Sequence, residues 1–389
     1  MNKPWPTAAL TDVALPVARP EVPLPGKVYR QIGVKLWGAG AYEREPMEGS
    51  RTKYSALSRV EVDDIIVNKI WARNGSVAVV PESLAGCYAS SEFPTFAPIQ
   101  ERLYPRWFHW LTKTRDFWKQ CDSKSRGTSG KNRIRPEKFL EIGIPLPGLG
   151  EQRRIVTRIE ELAARIEEAR GFRREASEEA TALLGSASDA AFELRSGWIE
   201  APVIDLCDPP QYGFTASATA DPIGPRFLRI TDIQDGQVNW DAVPFCHCLN
   251  PEQYLLRDND LLFARTGATT GKSFLVRDCP RAVFASYLIR TRVRRLVSAK
   301  YLYWYFQTLS YWSQITGEKR GTGQPNVNGK KLASIRVPVA PPNAQSSIVA
   351  YLDDLHAKVD ALKRLQAETA AELDAMLPSV LDKAFKGEL

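Results

Sequence analysis

The chain has 389 residues, 44% of them hydrophobic and 10% aromatic, with a formal net charge of +7. This composition excludes a disordered chain, and no run approaches the roughly 18 apolar residues of a membrane span. The length allows two or three domains. The N-terminus has no signal-peptide core, and Cys87, Cys121, Cys207, Cys246, Cys248 and Cys279 sit at no zinc spacing, so a reduced, cytoplasmic chain without a metal site is expected.

The charge is unevenly spread. Residues 1–149 carry +7, 150–196 carry −2, 197–342 carry +5 and 343–389 carry −3. Basic domains joined by near-neutral spacers suit a polyanion such as nucleic acid, although ordinary surface charge gives the same totals.

In chain order, a proline-rich approach (Pro16 to Pro25) leads to Tyr29–Lys35, which alternates like a strand, and then to a glycine and aromatic turn, Leu36–Tyr42. Val62–Trp71, Ala72–Gly75 and Ser76–Val80 read as strand, turn, strand. An aromatic helix follows from Tyr104 through Trp118, then a polar loop, Arg126–Asn132. Its aromatic spacing favours core packing over a base-stacking platform. Pro145 and Pro147 force an extended lead-in to a long helix whose apolar residues form a heptad seam: Ile155, Ile159, Leu162, Ile166, Ala169, Ala176, Ala180, Leu183, Ala187, Ala190 and Leu194.

The whole pattern then repeats. At an offset of 193 residues, Trp5–Asp12 aligns with Trp198–Asp205, Pro145 with Pro338, Gln152 with Gln345, Ile155 with Ile348, Leu162 with Leu355 and Phe192 with Phe385. Between these anchors, Asp64 matches Asp260, Lys69 matches Arg265 and Gly75 matches Gly271. A second aromatic helix runs from Tyr301 through Trp312, a second polar loop spans Arg320–Asn326, and a second seam reads Ile348, Leu352, Leu355, Val359, Leu362, Leu373, Met376 and Val380. The chain is two tandem units, each a globular domain followed by a long helix.

Several motifs nearly fire. Gly267–Ser273 is one residue short of a phosphate-binding P-loop and no helix pattern follows it, so it reads as a β-turn. Asp208-Pro-Pro-Gln-Tyr212 resembles the DPPY of adenine methyltransferases, but Gln211 interrupts it and no cofactor-binding strand and glycine turn accompany it. His109, His247 and His356 have no nucleophile or carboxylate at meaningful spacing. No catalytic residue and no cofactor are expected.

The paired signatures Pro145-Leu-Pro-Gly-Leu-Gly-Glu-Gln-Arg-Arg-Ile-Val156 and Pro338-Val-Ala-Pro-Pro-Asn-Ala-Gln-Ser-Ser-Ile-Val349 closely resemble the central and distal regions of the specificity subunit of type I restriction-modification systems. The resemblance covers essentially the whole chain. Gly148 stands where a second proline is common, and Ala344 replaces the acidic residue matching Glu151. It implies an α+β chain in which residues 1–145 and 198–338 are target-recognition domains. Residues 146–197 and 339–389 would be helices pairing as an antiparallel coiled coil. Each domain would read one half of a split, asymmetric site in double-stranded DNA. The partners implied are two adenine-methylating modification subunits, which carry S-adenosylmethionine, and restriction subunits, the ATP-driven motor-nucleases; no membrane is involved. The chain itself would be no enzyme. A scaffold with two peptide-binding domains and no DNA role is the alternative, and the basic domains argue against it.

Candidate DNA contacts lie on turns and loops. In the first domain they are Arg30, Lys35, Lys69, Arg73, Arg126 and Lys131; in the second, Arg229, Arg265, Lys272, Arg320, Gln324 and Asn326. Each taken alone also reads as a solvated charge. Continuing the two seams places Arg173 and Gln366 at the same repeat position, midway along their helices. In an antiparallel pair only the middle layer brings equivalent positions together, so these two are expected to face each other and hydrogen-bond; a snorkelling pair near Gly171 is the alternative.

Overall fold

The segments that open each repeat recur with the proline-rich lead-ins because each forms a strand that pairs with one. In the computed structural model, which describes residues 5–125, 132–234, 236–267, 269–294, 296–316 and 327–389, the chain divides into two compact units. One comprises Met1–Phe172 with Ala367–Leu389, the other Arg173–Gln366.

The strands of the first unit are β1 (Thr7–Ala9), β2 (Ala14–Val17), β3 (Pro20–Glu21), β4 (Val28–Val34), β5 (Ala41–Glu48), β6 (Leu57–Arg59), β7 (Ile65–Val67), β8 (Val77–Val79), β9 (Tyr88–Ala89), β10 (Thr95–Pro98) and β11 (Gly143–Pro145). Its helices are α1 (Pro105–Leu111), α2 (Arg115–Ser125), α3 (Pro136–Leu140) and the first part of α4 (Leu149–Ala191). β1 pairs antiparallel with β11, Ala8 opposite Ile144. The other two sheets have strand orders β2-β10-β7-β8 and β3-β6-β9-β4-β5. The core beneath the four-stranded sheet joins Phe96, Trp107, Phe108, Phe117 and Phe139 to Ile155, Val156 and Ile159 of α4, and to Leu381 and Ala384 near the chain's end, while Ile32, Val34 and Ala89 of the five-stranded sheet pack in a separate cluster.

The second unit contains β12 (Ile199–Pro202), β13 (Gln211–Tyr212), β14 (Arg226–Leu228), β15 (Ile233–Gln234), β16 (Gln237–Val238), β17 (Leu261–Ala264), β18 (Ser273–Leu275), β19 (Ala282–Phe284), β20 (Leu288–Thr291) and β21 (Arg336–Val339). Its helices are α5 (Val203–Leu206), α6 (Ala299–Tyr305), α7 (Leu309–Thr316), α8 (Gly329–Ser334) and α9 (Pro342–Glu368); α10 (Ala370–Lys386) returns to the first unit. Here β12 pairs with β21, and a four-stranded sheet of order β13-β20-β17-β18 matches β2-β10-β7-β8 of the first unit. Ala191 and Phe192 at the end of α4 enter this core, with Phe192 against Tyr301 and Tyr305.

Each aromatic helix is two helices rather than one. Thr114 ends the first and starts the next: its hydroxyl donates to the Leu111 carbonyl (2.8 Å) and accepts from the Phe117 N–H (3.4 Å). Thr308 does the same with Tyr305 and Tyr311. A hydroxyl that bonds both backbones in this way interrupts the helical ladder.

The long helices depart from the expected seams. In α4, Leu183 is exposed and Ala190 faces solvent, whereas Leu184, Ser188 and Ala191 turn inward, and Leu194 lies exposed beyond the end of the helix. The inward residues Ile155, Ile159, Ile166, Arg173, Ala180, Leu184, Ser188 and Ala191 keep step with 3.6 residues per turn. A straight helix drifts about 20° per heptad, which moves the buried face off a strict seven-residue repeat. The distal helix is also broken, at Thr369 between α9 and α10.

A buried aspartate organises the same corner of each domain. Asp64 and Asp260 follow residues in the left-handed region, Asp63 (φ 66°) and Asn259 (φ 71°). Each accepts from the N–H three residues earlier, Glu61 at 2.8 Å and Arg257 at 3.0 Å. Asp64 pairs with Arg19 at 2.6 Å, while Asp260 pairs with Arg292 at 2.7 Å and Arg290 at 3.7 Å. Arg290 is buried, and that burial, with Arg292 beside it, pushes its pKa down to about 10. Asp260→Asn leaves this guanidinium without its counter-charge and should destabilise the chain by about 3–5 kcal/mol. Asp64→Asn should cost less, because Arg19 can turn to water. Denaturant unfolding of the full-length variants checks the order.

Candidate nucleic-acid interface

A turn on one face of each four-stranded sheet gathers several of the expected contact residues. In the first domain the chain leaves β7 at Val67, and the Asn68 side chain caps the turn by accepting from the N–H groups of Ile70 (3.1 Å) and Trp71 (3.3 Å). Gly75, at φ 68°, closes it under the Trp118 ring, where a Cβ would lie 2.6 Å from the indole nitrogen. The backbone of Lys69 is pinned on both sides: its N–H donates to Glu92 and its carbonyl accepts from Ile134, at 3.0 and 2.9 Å. The Arg73 guanidinium lies 5.9 Å from the Trp71 ring and Lys35 lies 6.0 Å from Tyr42.

The second domain repeats the plan with other side chains. The Arg265 N–H donates to Tyr287 and its carbonyl accepts from Val327, both at 3.0 Å. Gly271, at φ 87°, packs against Trp312 and Ile315, and Thr269–Gly271 form a turn that leads into β18, not into a helix. The Arg265 guanidinium lies 5.1 Å from the Tyr212 ring, and its buried Nε has no hydrogen-bond partner among the described residues. Lys272 is exposed beside it.

The twelve expected contacts therefore separate into groups. Lys35, Lys69 and Arg73 share one face of the first domain, and Arg265 and Lys272 share the matching face of the second. Arg30 stands in β4, not in a turn, and is held by Glu43 through two bonds of 2.8 and 2.9 Å. Arg229 is likewise bound to Asp232, at 2.7 and 3.0 Å. Glu43 reaches Arg30 across the β4–β5 pairing, whereas Asp232 is the near neighbour of Arg229, three residues along the chain. Arg126, Lys131, Arg320, Gln324 and Asn326 lie outside the described residues. Exposed Trp37, Trp71, Tyr212 and Tyr287 were not among the expected contacts. The signal available for them was an aromatic within a glycine-rich or proline-rich turn, as in Leu36–Tyr42 and Asp208–Tyr212.

At the middle of the helices, the Arg173 guanidinium donates to the main-chain carbonyl of Gln366. Both residues are half-buried. The bond runs to the backbone, whereas the repeat position pointed to the two side chains. The bonded carbonyl lies three residues before Thr369, where α9 gives way to α10.

Among the described residues no helix is long and apolar enough to cross a membrane. Residues 4–171 and 248–370 match the family described as the type I restriction modification DNA specificity domain. The chain is 25% identical over 312 residues to the type I restriction enzyme EcoKI specificity subunit of Escherichia coli K12, and 22% identical over 310 residues to the StySPI specificity subunit of Salmonella potsdam. These matches take in 72% and 73% of this chain but only 64% and 65% of the relatives' lengths. The solved HsdS subunit from Thermoanaerobacter tengcongensis is 25% identical with a TM-score of 0.67, over 99% of this chain and 97% of that one. A chain from a solved type I R-M system, 24% identical, has the same fold with a TM-score of 0.78, over 99% and 98% of the two chains.

Because the acceptor at the helix centre is a carbonyl, the two residues should respond differently to truncation. Arg173→Ala removes a charge-assisted bond and should cost about 1–2 kcal/mol at this half-exposed position. Gln366→Ala keeps the carbonyl and so leaves this bond in place, and should cost less than Arg173→Ala. Urea unfolding of the two full-length variants separates them, and equal losses would place the interaction on the Gln366 side chain.

Proposed function

The chain belongs to the family of type I restriction-modification DNA specificity domains, and from that membership we propose that it is the non-catalytic specificity subunit of such a system. Each domain reads one half of a split, asymmetric site in double-stranded DNA. The helices pair antiparallel as a coiled-coil spacer, with Arg173 and Gln366 in its central layer. Two methyltransferase subunits and the motor-nuclease subunits assemble on this frame in the cytoplasm.

The observation that carries this reading is a shared scaffold with unlike readers. Lys69 and Arg265 are held by the same pair of backbone bonds, from the same sheet position. Around them stand different side chains: Trp71, Arg73 and Lys35 in one domain, Tyr212, Tyr287 and Lys272 in the other. Identical mounting gives both domains the same approach to a duplex, and unlike side chains make the two halves of the site differ. The residues that remain candidates for contact are Lys35, Lys69, Arg73, Arg265 and Lys272, joined by Arg126, Lys131, Arg320, Gln324 and Asn326 of the polar loops. Arg30 and Arg229 would act only by leaving their carboxylates. A helix of 43 residues extends about 65 Å at 1.5 Å per residue, enough to hold two readers well apart along DNA.

Expression with the methyltransferase subunits, followed by mapping of methylated adenines, should yield one two-part motif. Binding of the complex should weaken steeply with salt, and scrambling either half should cost several kcal/mol at about 1–3 per mismatched pair. Unchanged affinity after scrambling one half would remove the two-reader arrangement. Replacing residues 29–132 by the matching segment of a relative with another specificity should change one half of the motif and leave the other intact, read by the same methylation map.

A further inference from the structure

Trp37 occupies a position where a large side chain is costly. It lies at the tip of the β4–β5 hairpin with φ 58°, in the left-handed region that favours glycine. Nothing in its surroundings lets it relax. Its N–H donates to the Asn74 carbonyl at 2.7 Å, and the next N–H, of Gly38, donates to Gly75 at 2.9 Å. Gly38 lies so close to the Thr112 backbone that a Cβ there would sit 2.3 Å from its carbonyl oxygen. One edge of the Trp37 ring rests on Trp118, with centroids 5.2 Å apart and planes at 62°; Trp118 is fixed by its own bond to the Thr112 carbonyl at 2.7 Å. Yet 52% of Trp37 remains exposed.

Burial therefore does not explain this residue. The fold holds an indole out into solvent, at the cost of backbone strain, on a hairpin tip bonded to the β7–β8 turn that carries Trp71 and Arg73, and close in sequence to Lys35. The chemistry that matches is a flat apolar surface flanked by negative charge. A base step between two phosphates has that character, and apolar side chains that enter such steps unstack and kink the duplex. Resting on the DNA-reading function proposed above, we propose that Trp37 is a wedge for one base step of the half-site read by the first domain. It sets specificity at that step through the ease of unstacking rather than through hydrogen bonds to a base edge. The five-stranded sheet that carries the β4–β5 hairpin has no counterpart of that strand order among the described residues of the second unit. The wedge therefore acts on one half-site only.

The test uses the full-length chain with its methyltransferase subunits and duplexes of the methylated motif, with 2-aminopurine placed at each position in turn. Trp37→Gly relieves the backbone strain, so its melting midpoint should stand at or above that of the unaltered protein. Its affinity should nevertheless fall roughly tenfold to a hundredfold, the worth of one base–aromatic stack. A local change in 2-aminopurine emission at one step of one half-site should disappear with Trp37→Gly and persist with Trp37→Phe. The signal at the methylated adenines, which methyltransferases turn out of the stack, should survive in both. Unchanged affinity overturns the proposal, as does a parallel fall in midpoint and affinity with no step-specific signal. Weakened assembly with the methyltransferase subunits in the absence of DNA assigns Trp37 to a protein contact instead. If the unaltered complex prefers no sequence, the DNA-reading function itself fails, an outcome distinct from failure at Trp37 alone.

Discussion

A buried carboxamide fastens each domain to its helix. Gln152 is fully buried at the start of α4; its oxygen accepts from the Tyr104 N–H at 2.8 Å and its nitrogen donates to the Arg102 and Pro147 carbonyls, both at 2.8 Å. Gln345 repeats this with Ser298, Leu296 and Ala340 at 3.1, 3.2 and 2.8 Å. Only an amide supplies an acceptor and two donors on one planar group. A glutamate of the same shape would set a buried charge against two carbonyl oxygens, and a leucine would leave three backbone groups unpaired. This bond set ties the extended lead-in, the aromatic helix and the first turn of the long helix together.

Each unit is then completed by the far end of the other repeat's helix. In the first unit the Trp5 indole donates to the Ala384 carbonyl at 2.8 Å, and Phe385 lies against Trp107 with centroids 4.6 Å apart. In the second, Phe192 takes the equivalent place against Tyr301, and Asp189 accepts from the Leu309 N–H at 2.8 Å. Neither domain's aromatic core is closed by its own repeat alone. That coupling suits a protein whose proposed task is to present two readers at a set spacing.

The turns of the proposed interface obey the opposite logic. Their backbones are over-determined by paired hydrogen bonds, while the side chains they carry, Trp37, Trp71, Arg73, Tyr287 and Lys272, remain wholly or partly exposed. Holding the mount rigid lets the exposed residues vary without disturbing the core, which is how one scaffold can serve many sequences.

The sequence by itself determined the doubling, the aromatic cores and the helices. Periodicity and turn chemistry are local, so the repeat of Pro145 at Pro338 and of Gln152 at Gln345 was legible without any contact being known. The family resemblance rested on those same residues. The tertiary structure decided what depends on partners distant in the chain. Leu183 turned outward because a straight helix does not keep a seven-residue repeat, and Leu194 because the helix ends before it. Arg173 met the main-chain carbonyl of Gln366, and Arg30 was taken up by Glu43 across the β4–β5 pairing. Trp37 became conspicuous only when its backbone angle, its brace against Trp118 and its exposure were seen together. A side chain's role at such a site is set by what surrounds it in space, and no period along the chain encodes that.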